Sequence, residues 1–302
     1  PYGVTRFPCA SINVLAQIDA LNRRAGRDYS TVMLHAVAEC NFPQRPNDAN
    51  PFFLQSAAQL WGPLLGHVMT TEPPPRRNTI HAYYLLTHGY ARFAHNAHNG
   101  EIDRELALTM LWRAMADNRA LGGYISQAGA MMLAMPERTR ADVLATCRTH
   151  LQYHLHPQVR RISQNNDILF TDLKDARGGE ILYLALPAGE MRSALAPWVR
   201  QTMAVLLKTF ELIPGGLRHP CHIYLEEMGV IGAIPGLAEA APLLRQYGAL
   251  LTGIVQDLPL LRRAYPDSWT GFLANADVVT WMGGEDAETM NDTMRKALAE
   301  GI

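Results

Sequence analysis

Near residue 165 the hydrophobic pattern of this chain changes its period, and that change limits the folds open to it. Before it, apolar residues recur at helical spacing in one segment after another; after it, short β-rich runs alternate with helical stretches. The first texture predicts helices over 13–24, 28–41 (opened by Asp28 or Ser30), 52–70, 79–98, 103–120, 123–135 and 138–155. Turn-rich breaks lie at 41–51, 72–77, Asn99-Gly100, Gly122-Gly123 and Pro136. Helices joined by such short breaks pack as antiparallel neighbours, so 52–160 reads as an all-helical unit.

The second texture predicts strands over 181–186, 221–227, 249–256 and 277–282, with helices over 191–212, 235–247 (despite Pro242), 258–265 and 287–300. The run from Ile181 to Leu186 is continuously apolar and stops at Pro187, as in a strand covered on both faces. Strands that alternate with helices imply a parallel sheet with right-handed crossovers, whose chemistry sits at the carboxyl ends of the strands. No internal repeat or low-complexity tract competes with this division.

At 302 residues the chain fits one large domain or two. Lys and Arg total 27 against 28 Asp and Glu, so no global basic field holds nucleic acid and any such contact must be local. Cys9, Cys40, Cys147 and Cys221 are scattered without a CxxC pair, which argues against a thiolate zinc site or a disulfide framework and for a reducing compartment. No apolar run approaches the ~20 residues that cross a bilayer.

The sharpest chemical feature is Ile223-Tyr-Leu-Glu-Glu227, an apolar strand that ends in two carboxylates. Neighbours on a strand face opposite ways, so one carboxylate can hold a hydrated Mg²⁺ while the other addresses an attacking water; two glutamates also make an ordinary solvated loop start. Gln256 ends the next strand, where its amide reaches a terminal phosphate or merely a loop. Arg245 ends the intervening helix, where it serves a neighbouring subunit's phosphate or the helix dipole.

The run Tyr224-Leu-Glu-Glu-Met-Gly-Val-Ile-Gly-Ala-Ile-Pro-Gly236, with Leu244-Arg-Gln-Tyr-Gly248, Ile254-Val-Gln256 and Tyr265, resembles the C-terminal half of the nucleotide-binding domain of type IV secretion coupling proteins, the TraG/TraD-like ATPases of conjugation. Asn50 to Ala58 resembles the start of that family's inserted all-α domain, and Ile181 to Pro187 the strand after it. The resemblance implies a RecA-like, P-loop-type α/β nucleotide-binding domain interrupted by an all-α domain: 1–51 its N-terminal segment, 52–160 the all-α substrate-recognition domain, and 161–302 its C-terminal part. It implies ATP and Mg²⁺ as cofactors. Glu226 would hold the magnesium through water, Glu227 would orient or deprotonate the attacking water, Arg245 would be a finger given to the adjacent subunit, and Gln256 would sense the γ-phosphate. A finger acting in trans implies a homo-hexamer. The implied function is the cytoplasmic motor of a bacterial inner-membrane secretion system. It would deliver DNA-relaxase complexes or effector proteins received on 52–160, with single-stranded DNA as a further partner.

Two departures accompany the resemblance. The family usually has Asp-Glu where this chain has Glu226-Glu227, which sets the first carboxylate one methylene further out. No Gly-x-x-x-x-Gly-Lys-Ser/Thr segment exists, and the only lysines are Lys174, Lys208 and Lys296. The expectation is that the phosphate loop and membrane helices precede Pro1, so that this chain alone is inactive. A catalytically inactive cargo-binding homologue is the alternative, and an unrelated metal-dependent hydrolase a third.

The histidines bear on that third reading. His81, His88 and His95 recur every seven residues with His98 nearby, and His150 and His154 have i, i+4 spacing with His156 close. The first group brings no evident carboxylate or i, i+4 His pair, so a polar or partner-facing stripe explains it better than a metal, and the second is one helical pair without an obvious third ligand. Arg138, Arg140, Arg148, Arg160 and Arg161 make 138–161 a solvated face or a contact for nucleic acid or acidic tails. Phe52, Phe53, Trp61, Tyr83, Tyr84, Trp112, Met131 and Met132 sit at core spacing.

Overall fold

The computed structural model describes residues 9–43, 51–94, 101–175, 181–186, 195–213 and 220–280, with the single positions 189 and 282. Two helices open it, α1 (Val14–Ala25) and α2 (Ser30–Asn41). The helical unit follows as α3 (Pro51–Thr71), α4 (Thr79–His88), α5 (Arg104–Asp117), α6 (Tyr124–Ala134), α7 (Glu137–Leu151) and α8 (Pro157–Gln164). Then come α9 (Phe170–Asp175), α10 (Ala196–Leu212), β1 (Cys221–Leu225), α11 (Leu237–Ala240), β2 (Ala249–Gly253), α12 (Leu258–Ala264) and α13 (Trp269–Ala274).

Side-chain caps fix several of these starts. Oδ1 of Asn13, Asn78, Asp103 and Asp257 accepts the backbone N–H of Leu15, His81, Leu106 and Leu260 respectively. Gly26 ends α1 at φ 63°, a conformation only glycine adopts cheaply.

Four expectations change. The helix over 79–98 stops at His88, because Gly89 at φ 57° turns the chain so that Tyr90 N–H meets Ala107 O at 3.0 Å; a Cβ there would lie 2.3 Å from that oxygen. The helix over 235–247 is broken, since Pro242 has no N–H for the ladder; α11 gives way to a 3₁₀ turn over Leu244–Tyr247. Residues 181–186 and 277–280 carry no strand, and Ile181, Tyr183 and Val278 are exposed. The helix over 287–300 lies outside the described residues. Among the described residues the sheet therefore has two strands, β1 and β2, parallel as expected and in register from Cys221 opposite Ala249 to Leu225 opposite Gly253.

One core runs from Ile12 to Tyr265 across both textures, with Trp61, Trp112, Phe42, Phe170 and Phe210 as its largest fully buried side chains. Phe52 and Tyr84 lie outside it. The segment before α1 is sewn to the end of α8 and the segment after it: Ile12 N–H donates to Ile162 O at 2.7 Å, Ser11 N–H to Asp167 Oδ2 at 2.7 Å, and Asn13 N–H to Asn166 Oδ1 at 3.0 Å. Gln17 joins the same seam through Ile168 O and Phe170 N–H. Chain that departs after α2 thus returns at α8 to where it began. No helix among the described residues is long and apolar enough to cross a membrane.

Candidate functional site

Parallel pairing of β1 and β2 puts the residues that follow them side by side. The ladder continues past the strands, with Ile254 N–H donating to Leu225 O at 3.0 Å and Met228 N–H to Ile254 O at 3.1 Å. Glu226 and Glu227 therefore leave one strand where Val255 and Gln256 leave the other, and Gln256 Nε2 donates to Glu227 Oε1 at 3.0 Å. The acidic pair does not alternate as a strand would. β1 ends at Leu225, and Glu227 sits at φ 58°, left-handed backbone that costs a side-chain-bearing residue about 1–2 kcal/mol. That turn is closed by Val230 N–H donating to Glu227 O at 2.8 Å. It aims Glu227 across the strand ends at Gln256 and leaves Glu226 exposed.

The loop beyond is anchored from below. Arg200, on α10, donates through Nη1 to Ile231 O and through Nε to Cys40 O at the end of α2, both at 3.2 Å. Tyr265 is buried, and its hydroxyl accepts Ile234 N–H at 3.0 Å; burial pushes that hydroxyl up to about 12, so it stays protonated. Lys174, from α9, donates to Phe210 O at 2.8 Å and Tyr247 O at 2.9 Å, which ties the turn before β2 to the end of α10. Sequence reasoning flagged Tyr265 without a role and missed Arg200 and Lys174. Arg200 lies inside a helix whose apolar pattern hides it, and only the fold brings Cys40 and Ile231 to either side.

Arg245 stands apart from this pair. It is exposed on the 3₁₀ turn and bonded to Asp277, a partner 32 residues away that no local spacing announces. The histidines do not gather: among the described residues no group of three or more His, Cys, Asp or Glu could hold a metal. His81 Nε2 lies 3.4 Å from Glu72 Oε2, His88 stacks on Tyr84, and His154 is buried against Tyr83 and Tyr153. His95 and His98 lie outside the described residues.

A family model described as type IV secretory system conjugative DNA transfer matches residues 8–297, and the chain belongs to that family. Among solved structures it is similar to the bacterial conjugative coupling protein TrwBdeltaN70, trigonal form with sulphate, at 14% identity over 81% of this chain and 51% of that one, TM-score 0.56. TrwB in complex with ADP and Mg²⁺ matches at 14% identity over 81% and 52%, TM-score 0.56. TrwB in complex with the non-hydrolysable ATP analogue ADPNP matches at 14% over 81% and 51%, TM-score 0.58. The likeness is one of fold, and the chain spans about half the length of these structures. No curated protein matches by sequence. Family membership replaces the reading of an unrelated metal-dependent hydrolase.

Proposed function

We propose that this chain is the C-terminal part of a RecA-like nucleotide-binding domain with its inserted all-α domain, and that it works in the coupling ATPase of a type IV secretion system. The observation that carries the reading is the hydrogen bond from Gln256 to Glu227 at the carboxyl ends of two parallel strands.

The residues present fit the metal-and-water side of a nucleotide site. Glu226, exposed at the edge, would hold Mg²⁺ through its water shell, and the sequence contains no glycine-rich cradle for the phosphates. Bound ATP and Mg²⁺ would supply the phosphoryl group and neutralise its charge. Glu227, fixed by its left-handed turn and by Gln256, would orient the attacking water and accept its proton as the water oxygen bonds to the γ-phosphorus and the bond to the β,γ-bridging oxygen breaks to release ADP. Gln256 donates to Glu227 and keeps its carbonyl oxygen for the water or its N–H for the phosphate. Arg245, exposed, would leave Asp277 to reach the nucleotide of the next subunit, which requires an adjacent subunit in a ring, the homo-hexamer that the family resemblance implies.

The seam between Ser11–Asn13 and 162–168 supports reading 52–160 as an insertion between 1–51 and 161–302. On this proposal the inserted unit receives relaxase-bound DNA or effector proteins at the cytoplasmic face of the inner membrane and passes them to the channel.

The test is ATP hydrolysis by the product of the complete gene beside its Glu227→Gln variant. Loss of at least about 100-fold in kcat, with nucleotide binding retained, is the expected result. Equal turnover by the two forms removes Glu227 from the chemistry, and no turnover by either makes the protein a recruiting module.

A further inference from the structure

Glu227 stands at φ 58°, a backbone conformation that a side-chain-bearing residue keeps only where its surroundings hold it there. The loop behind it supplies that hold. Met228, Ile231 and Ile234 are buried, and the N–H groups of Met228 and Ile234 donate to Ile254 O and to the Tyr265 hydroxyl. Those two bonds fasten the loop to the chain that leaves β2 and to the end of α12. A third fastening reaches further. Arg200 Nη1 donates to Ile231 O while Nε of the same guanidinium donates to Cys40 O in the last turn of α2, both at 3.2 Å. Beside it Gly232 turns at φ 80°, and a Cβ there would lie 3.5 Å from Nη1, so the guanidinium rests against the loop's own backbone.

Both acceptors are main-chain carbonyls, so what these charge-assisted bonds fix is the distance between two stretches of backbone. A guanidinium suits that task, because its donors leave in set directions and it stays protonated even half-buried, where burial lowers its pKa. The α2 end of the span is also where the helical unit is seated. Asn41 follows Cys40, Gln201 follows Arg200, and Tyr153 of the helical unit donates to Asn41 Oδ1 at 2.7 Å and lies 3.3 Å from Gln201 Oε1. Two sets of bonds therefore meet at two pairs of consecutive residues. In a close-packed interior, a shift of the helical unit on α2 and α10 moves Cys40 O and, through Arg200, the Ile231 carbonyl.

We propose that Arg200 is a positioning residue, which makes the placement of Glu227 depend on how the helical unit sits on α2 and α10. That Glu227 acts as the base rests on the function proposed above; that Arg200 sets where its loop lies does not.

The experiment is amide hydrogen exchange of the 302-residue chain, without nucleotide, in the parent, Arg200→Gln, Arg200→Lys and Tyr153→Phe. The readout is the exchange of Met228, Val230 and Ile234, with the amides of α5 and α6 as reference. Arg200→Gln should speed the loop amides about tenfold or more and leave the reference unchanged. Arg200→Lys keeps the charge, which guards against a misfolded Gln variant, but loses the planar fork and should speed the same amides by a smaller, measurable factor. Tyr153→Phe removes a hydroxyl that bonds neither Arg200 nor the loop, and should still speed them about threefold or more. Turnover by the product of the complete gene is the second readout: Arg200→Lys lowers kcat about tenfold with KM held within about twofold, and lowers kcat no further in the Glu227→Gln background. Loop amides that keep the parent's rates in Arg200→Lys or in Tyr153→Phe overturn the proposal, as does equal speeding of α5 and α6. An equal loss of kcat in both backgrounds overturns it too, since Arg200 would then act without Glu227. Should Glu227→Gln hydrolyse ATP as the parent does, or neither hydrolyse it, the function proposed above falls, and the exchange rates still decide for or against Arg200.

Discussion

His154 shows at the scale of one side chain what burial does to chemistry. Its Nδ1–H donates to Leu151 O at 2.9 Å, its ring stacks on Tyr83 at 13°, and it is 1% exposed. Burial pushes its pKa down to about 4, and does the same for His67, which bonds Tyr90 and Asn118 through its two nitrogens. An unfolded imidazole titrates near 6.5. Between those values the unfolded chain takes up protons that the native state refuses, so stability is full above about pH 6.5 and declines as the pH falls toward 4. Each fully buried imidazole contributes up to about 3 kcal/mol to that decline. Thermal melts from pH 7 to pH 4 should therefore fall steadily, and His154→Phe, which keeps a ring and removes the titration, should flatten the curve. A slope that the substitution leaves unaltered would separate His154 from the acid sensitivity. That Glu227 and Gln256 lie near one another was legible in the sequence, because both follow runs of strand pattern and parallel strands bring their ends together; the hydrogen bond between them was not. Arg245–Asp277 was not, because 32 residues separate its partners and only a folded surface joins them.

Among the elements, helices were read from sequence with fair fidelity because a helix closes its own hydrogen bonds. Strands depend on partners. The apolar runs at 181–186 and 277–282 have strand composition, yet no strand among the described residues faces them, and Tyr183 and Val278 stay exposed. β1 and β2 have each other and form where expected, shortened to five residues apiece. Nor could spacing announce how closely α5 and α6 approach. A Cβ on Gly129 would stand 2.3 Å from Ala116 N and 2.6 Å from Trp112 O, both backbone atoms of α5 that no rotamer change can move. Gly129→Ala ordinarily favours a helix by roughly 1 kcal/mol. Here overpacking costs about 1–3 kcal/mol and opposes that gain, so chemical denaturation should show net destabilisation. A more stable variant would mean the helix pair yields at no cost.

For the whole molecule the question is how far the helical unit over 52–160 depends on the rest. Tyr153, at the end of that unit, donates to Asn41 Oδ1 at 2.7 Å and lies 3.3 Å from Gln201 Oε1, while Asn41 Nδ2 donates to Val37 O and reaches Gln201. This network is buried and draws one side chain each from α2, α10 and the helical unit. α3 packs on α2 so closely that a Cβ on Gly62 would lie 3.1 Å from Leu34 O, and Trp198 Nε1 donates to Ser163 Oγ at 3.0 Å from the other side. Residues 52–160 expressed alone keep their internal contacts, α5 on α6 and α3 on α6 and α7, and circular dichroism should show them helical. They lose Asn41, Gln201 and the cover of Leu34 and Val37, which exposes apolar surface and leaves the Tyr153 hydroxyl to find water. The isolated unit should therefore melt well below the whole chain, and Tyr153→Phe should destabilise the whole chain by about 1 kcal/mol while changing the isolated unit little. Equal melting temperatures for the two forms would show that the shared core joins two bodies that stand without each other, and that Arg200 and the Asn41 network transmit nothing between them.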